Sequence, residues 1–327
     1  MNRTFSACAG SALVTSFVFA CAGPALAAEG ATFGGPIGFA DVRSAYLPSA
    51  PGFYLTLAEV PTWSTSLNGS NGKPNPAFYQ NNLEININAA VITYVYAWKP
   101  FGGTLATTVQ ETNFDYVHWI RNGVTQNDPG WGDPYVDLLR WSKHFGDTAA
   151  QDPSLPKLPY GLTVQLNASA IFPIGTYNPD KFLQVGHNDY FFVPNFALTY
   201  LTKPNFLGDG LEFSGRFFYN HATENPVTNY AQGDIVDFDY AISERTGRWQ
   251  YGVAGNFATQ INSDAQNGRY VGPDGRYLTL ARAGPVLIYD AEWGGTLKAK
   301  FQYPVDIRNT VAAPQFVFTL SIPLKGK

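Results

Sequence analysis

Period-two alternation between apolar and polar side chains is the feature that most constrains how this chain can fold. From Leu158 to Phe172 every second residue is apolar, and Thr163, Gln165 and Asn167 lie between them. Successive side chains of a β-strand point to opposite faces, so one face of this segment suits hydrocarbon and the other suits water. A strand with two such faces is typical of a membrane β-barrel with a polar interior.

The same alternation recurs along the chain, with turn residues between the runs. It predicts about twelve strands, at residues 52–60, 83–98, 103–116, 132–144, 158–172, 189–202, 211–223, 231–244, 248–261, 276–291, 293–305 and 313–324. Connections after odd-numbered strands are mostly long and those after even-numbered strands mostly short, as in bacterial outer-membrane barrels. The sequence therefore predicts an all-β fold, a transmembrane antiparallel up-and-down β-barrel. The fourth strand fits poorly, because Arg140 would share a face with Val136 and Leu138, and a β-bulge or a wrong strand boundary would explain this.

The first residues predict a cleaved secretory signal peptide. Arg3 precedes an apolar stretch from Ala7 to Gly23, and small residues follow up to Ala27. A basic start, an apolar middle and an A-x-A exit are typical of a Sec signal. We therefore predict a signal peptide at residues 1–27 and an outer-membrane β-barrel of a Gram-negative cell at residues 28–327. Both cysteines, Cys8 and Cys21, lie in the predicted leader, so the mature chain is expected to contain no disulfide and no thiol.

Composition favours a lipid-facing surface. Charged residues make up 14% of the chain and aromatic residues 15%, whereas typical soluble domains have about a quarter charged residues. A soluble exported β-protein would also alternate, but it would not need rings on the exposed face of strand after strand. The net charge of −4 indicates no nucleic-acid partner. The expected partners are outer-membrane lipid and a small hydrophobic or aromatic solute, and the barrel is expected to be a monomer.

The polar faces of these strands supply candidate residues for a solute pathway through the lumen. The candidates are Glu84, Asn86, Asn88, Gln165, Asn167, Glu212, Arg216, Asp237, Asp239, Arg282, Lys298 and Lys300. A charge inside a narrow barrel is costly unless it is paired or hydrated, so we expect Arg216 to pair with Asp237 or Asp239 on the next strand. Such side chains either filter solutes or pack the lumen shut, and the sequence leaves both alternatives open.

Seven short segments lie in order between residues 130 and 290: Gly130–Asp133, Ile171–Tyr177, Asn188–Tyr190, Pro194–Tyr200, Thr223–Tyr230, Gly233-Asp234 and Gly284-Pro285. In their order and spacing they resemble the outer-membrane family named for the MetA-pathway of phenol degradation. The resemblance implies an outer-membrane barrel proposed to admit hydrophobic or aromatic growth substrates. It carries over no catalytic residues.

Three functions remain open from the sequence. The first is passive uptake of small hydrophobic or aromatic compounds; the second is a structural or binding barrel with a plugged lumen. The third is a lipid-modifying enzyme, which would rest on His118, His144, His187 and His221 near predicted strand ends. No G-x-S-x-G elbow, H-E-x-x-H pair or metal-ligand cluster accompanies these histidines. We therefore predict no enzyme, no cofactor, no catalytic residue and no metal site.

Overall fold

The computed structural model describes residues 33–146, 158–271 and 276–324, and the predicted signal peptide lies outside these ranges. All twelve predicted strands are present. In chain order they are β1 Gly52–Ser64, β2 Asn82–Val95, β3 Thr104–Arg121, β4 Tyr135–Phe145, β5 Gly161–Ile171, β6 Asn195–Leu201, β7 Gly210–Ala222, β8 Ile235–Thr246, β9 Trp249–Gln260, β10 Thr279–Asp290, β11 Thr296–Arg308 and β12 Gln315–Leu324. The predicted sixth strand is broken, because Pro194 separates β6 from a short strand at Phe191–Phe192.

Each strand pairs antiparallel with the next, and β1 pairs with β12 to close the barrel, with Leu57 opposite Leu320. Closure satisfies the backbone donors and acceptors of the first and last strands, so the barrel has no free edge. We call the end that carries the short connections, such as Gly247-Arg248, the turn end. The other end, with connections such as residues 65–81, is the loop end.

Alternation separates a ringed outward face from a polar inward face. Phe196, Phe217 and Phe238 occupy opposite positions on β6, β7 and β8, with ring centroids 5.0 and 4.1 Å apart. On the opposite face of β7, Glu212 and Arg216 are buried inside the barrel. The aromatic outward surface and the polar lumen predicted from the sequence are therefore present on these strands.

A β-bulge in β4 explains the poor alternation of that strand. Its pairing with β5 shifts between Asp137 and Leu139, and Leu138 is the extra residue. Leu138 and Leu139 are therefore both exposed on the outward face, 49% and 54%, whereas Arg140 turns into the lumen. Of the two explanations that the sequence left open for this strand, a bulge and a wrong boundary, the structure shows the bulge, and it decides which face carries the arginine.

One face assignment was wrong: the polar residues of β2 face outward. These residues are Glu84, Asn86 and Asn88. Leu83 is 4% exposed, whereas Tyr94, on the same face as Glu84, is 37% exposed, and Glu84 lies opposite the exposed Trp63. At the loop end the inner side of β2 is covered by an apolar cluster that includes Leu83 and Trp119. The alternation is therefore real, but here its apolar side is the one that is buried inward.

The loop end carries most of the remaining structure. Short strands there are Val124–Gln126, Gly130–Trp131 and a separate four-stranded sheet of Glu224–Asn225, Tyr230–Ala231, Ala265–Gln266 and Arg269–Tyr270. At the turn end, Pro100–Gly102 forms a short 3-10 turn. Among the described residues, no helix has the length and apolar character needed to cross a membrane.

Candidate functional site: a lumen filled by the N-terminal segment

The segment from residue 33 to residue 50, which precedes β1, runs through the barrel lumen. We call it the plug. Its start lies at the loop end, since a Cβ on Gly34 would contact the ring of His187, and it leads into Gly52 at the turn end. Asp41 and Ala45, in its middle, are fully buried. No strand or site was predicted for this segment, so the element that fills the lumen was missed by the sequence analysis.

Asp41 holds the plug to β11 through two lysines. Its carboxylate bonds Lys300 and lies 3.2 Å from Lys298 Nζ, and Lys300 also donates to the carbonyl oxygen of Gly38. Burial by itself would raise the pKa of Asp41. The two cations outweigh burial and hold the pKa of this carboxyl well below its ordinary value. The plug is therefore charged at this point and neutralised by the wall.

Arg43 makes the second charged attachment. Its guanidinium donates to both carboxylate oxygens of Asp290, at 2.9 and 2.7 Å, and its Nε donates to Gln250 at 2.9 Å. Its backbone N–H donates to Glu212 at 2.7 Å. Burial would lower the pKa of Arg43, but the hydrogen bonds to Asp290 raise it above its ordinary value. A two-pronged arginine–carboxylate contact fixes orientation as well as charge.

Asp239 on β8 binds the plug backbone. Its carboxylate accepts N–H bonds from Gly38 at 2.6 Å, Phe39 at 3.1 Å and Ala40 at 2.8 Å. Gly38 has a φ of +77°, and a Cβ there would lie 2.7 Å from the Asn256 side chain. Glycine is therefore required both for the turn and for the close approach to the wall.

The expected pairing of Arg216 with Asp237 or Asp239 was wrong. Arg216 donates instead to Asp137 on β4, at 2.8 Å. The plug backbone already occupies Asp239, which lies opposite Arg216 in the β7–β8 register. Neither carboxylate oxygen of Asp237 has a hydrogen-bond partner among the described residues. The sequence analysis did not include the plug. Because the plug binds Asp239, Arg216 pairs with Asp137 and not with its neighbour on β8.

The remaining predicted pathway residues line the buried inner face. Gln165 on β5 donates to the plug carbonyl of Ala45 at 3.4 Å, and Asn167 donates to Asn195 at 2.7 Å. Arg282 is 8% exposed, and its Nε has no hydrogen-bond partner in the described chain. Nine of the twelve predicted residues therefore occupy the lumen wall, and the three on β2 do not.

Beside the plug, a cavity of about 1310 Å³ remains between the N-terminal segment and the wall. Its lining includes apolar residues such as Ala58, Val91 and Ile288, hydroxyl groups such as Thr93, and charged residues of β4 and β11. This volume is at or above the upper end of the range for small-molecule sites. The plug therefore fills the lumen only in part.

One sequence signal could have revealed the plug. Lys298 and Lys300 stand two residues apart on one inward face, and their inward neighbours on β12 are Thr319 and Val317. Two buried lysines need a carboxylate. Asp41 is the acid that the structure supplies, from 257 residues away along the chain.

The histidines do not assemble a catalytic group in the described part of the chain. His187 is packed between Asp133 and Phe191, and burial lowers the pKa of its imidazole. His221 is exposed and lies 2.7 Å from Asp234. Within the described ranges, no group of three or more His, Cys, Asp or Glu side chains is arranged to hold a metal ion.

Comparison with known proteins places the fold and the family. The COG4313 outer membrane channel from Pseudomonas putida F1 superimposes with a TM-score of 0.69 at 10% identity, over 86% of this chain and 98% of that chain. The transport unit of the autotransporter AIDA-I from Escherichia coli gives a TM-score of 0.47 at 8% identity, over 88% and 93%. No curated protein matches the sequence. The family profile described as the MetA-pathway of phenol degradation matches residues 67–320. That match spans most of the chain, which therefore belongs to this family.

Proposed function

We propose that this protein is an outer-membrane channel for passive uptake of small hydrophobic or aromatic compounds, and that the plug must move for them to pass. The observation that carries the proposal is the plugged but hollow lumen. A cavity of about 1310 Å³ with apolar and hydroxyl lining lies beside a segment that is held by side-chain contacts and not by strand pairing.

The contacts of the plug favour a seated but removable element. They are ion pairs and hydrogen bonds between wall residues and Asp41, Arg43, Ser44 and Ala45, and the plug forms no strand with the wall. Because the strand ladder that closes the barrel includes no residue of the plug, the plug can leave while every wall strand stays paired. The outward rings and closed ladder fit residence in the outer membrane of a Gram-negative cell.

A disulfide between plug and wall tests the proposal. Ser44 Oγ and Ser214 Oγ lie 3.3 Å apart, so cysteines at both positions are placed to form a bond of about 2 Å. The mature chain is predicted to have no thiol of its own. In host cells, the oxidised S44C/S214C protein should lose uptake of radiolabelled toluene, and reduction should restore it.

A wall-to-wall bond supplies the matched control. Thr93 Oγ1 and Thr108 Oγ1 lie 2.9 Å apart on β2 and β3. In the oxidised T93C/T108C protein two strands are tied together and the plug stays free, so its toluene uptake should equal that of its own reduced form. Equal uptake by oxidised and reduced S44C/S214C would overturn the proposal. Such a result would favour the second candidate, a structural or binding barrel whose seated plug never leaves.

A further inference from the structure

The charges that face the lumen cavity are unbalanced. Arg43, Arg140, Arg216 and Lys298 line it, against Asp137 and Asp239. Asp41 of the plug does not line the cavity, and neither do Glu212 and Asp290, the wall acids that bind Arg43. The cavity wall therefore carries two more cationic than acidic side chains.

Arg140 is the cation with the weakest partner. Asp137 Oδ1 already accepts bonds from Tyr135, Ser169 and Arg216, at 2.7, 2.5 and 2.8 Å. Arg140 Nε is 3.5 Å from Asp137 Oδ2 and forms no hydrogen bond within the described chain. Its two terminal nitrogens donate to Thr108 and Gln165, which are neutral. The carboxylate of Asp137 is thus shared between two guanidinium groups, and the positive charge of Arg140 is only partly neutralised.

Lys298 repeats this arrangement on the opposite part of the wall. It shares Asp41 with Lys300, and Lys300 is the fully enclosed partner, whereas the Lys298 side chain is 12% exposed. Arg43, by contrast, is neutralised by its two bonds to Asp290. The cavity cations with an incomplete acidic partner are therefore Arg140 and Lys298, whereas the carboxylate of Asp239 is engaged by three backbone N–H groups of the plug.

We propose that the cavity prefers amphipathic anions, molecules with an aromatic or aliphatic body and one carboxylate, over neutral molecules of the same shape. The proposal rests on the proposed function and names its substrate class. The carboxylate lies against Arg140 or Lys298, and the apolar body lies against Ala58, Val91 and Phe218. Hydrogen bonds between a guanidinium and a carboxylate are stronger than those between neutral groups, and a partly desolvated cavity strengthens them further.

Binding of two matched solutes tests the proposal. Calorimetric titration of the folded barrel in detergent with 4-phenylbutyrate and with 4-phenyl-1-butanol compares an anion with a neutral alcohol of similar size. We expect the carboxylate to bind at least about tenfold more tightly, the ratio that corresponds to one charge-assisted contact of about 1.4 kcal/mol. R140Q/K298Q should bring the two affinities to within about twofold of each other, and R140K should retain a preference.

Lys143 supplies the control. It stands on β4 beside the cavity residues, but it donates to the carbonyl oxygen of Phe101 and lies outside the cavity lining. K143Q removes one positive charge outside the cavity lining and should keep the full preference. Each variant is first shown to be folded by its heat-modifiable gel shift. Equal affinity of the parent for the two solutes, or an unchanged preference in R140Q/K298Q, would overturn the proposal. Either result leaves the proposed channel function intact, because that function is contradicted only if oxidised and reduced S44C/S214C take up toluene equally.

Discussion

Replacement of Asp41 by asparagine should release the plug. The Asp41 carboxylate is fully buried, and the Lys300 side chain that it bonds is fully buried as well. Removing one partner of a buried ion pair costs about 3 to 5 kcal/mol, because the other charge stays desolvated. An asparagine oxygen still accepts a hydrogen bond from lysine, so the lower limit of about 3 kcal/mol is the appropriate estimate. Because 1.4 kcal/mol corresponds to a factor of ten, the open fraction of the plug should rise about 100-fold.

Thiol labelling measures this change directly. In an S44C background, the reporter cysteine lies where Ser44 donates to the Gly215 carbonyl, which is buried in the plugged state. The rate of reaction with a membrane-impermeant maleimide follows the open fraction when the plug opens and closes faster than it is labelled. We expect D41N/S44C to react about 100 times faster than S44C.

The matched control uses an exposed ion pair. Asp128 and Lys181 are 2.9 Å apart, with side chains 43% and 38% exposed, and such pairs contribute about 0 to 1 kcal/mol. D128N/S44C should therefore react within about fivefold of S44C. If D41N/S44C also stays within that range while the barrel keeps its heat-modifiable mobility, the ion pair does not hold the plug and the reasoning is refuted.

Three further predictions concern pH, packing and the bulge. Since the docked-state pKa of Asp41 lies below its ordinary value, its contribution to docking is complete above about pH 4 and is lost as the pH falls below that; planar-bilayer conductance should therefore rise as the pH falls from about 4 to 2, less so in D41N. W119A removes a fully buried ring from the loop-end cluster and should cost about 3 to 5 kcal/mol, whereas W63A, on the outward face, should cost far less, by the guanidinium unfolding midpoint. Deletion of Leu138 alone should leave a regular strand with Arg140 still in the lumen and should refold normally, whereas deletion of both Leu138 and Leu139 should turn Arg140 toward lipid at about 2 to 4 kcal/mol, measured as lost refolding yield.

The strands could be predicted because each one carries its own evidence. A run such as Leu162 to Ala170 alternates whatever its neighbours are, since lipid on one side and polar contacts on the other act on every residue separately. The Leu138 bulge was also detectable, because an arginine on an apolar face violates that local rule. Which face points inward was not always detectable. At Glu84 the answer depends on an apolar cluster formed by loops distant in the sequence, including Leu67 and Val311.

The ion pairs of the lumen show the limit most clearly. The register places Arg216 opposite Asp239, and a prediction made from neighbouring strands alone therefore pairs these two residues. The structure gives Asp239 to the backbone of the plug and Arg216 to Asp137 on β4. A carboxylate binds whichever donors reach it, and the plug donors come from about 200 residues away. Pairing inside a barrel is therefore decided by what fills it.

By itself, the sequence determined the barrel, its twelve strands and its closed antiparallel order, because a two-residue period sorts side chains between lipid and lumen without reference to the rest of the chain. Only the tertiary structure decided that residues 33 to 50 fill the lumen, that Arg140 and Lys298 face the space left beside them, and that the polar side of β2 points outward. An irregular segment has no period to read. Its place is set by Lys298, Asp290 and Asp239, charged residues about 200 or more positions away along the chain that the closed barrel brings to it.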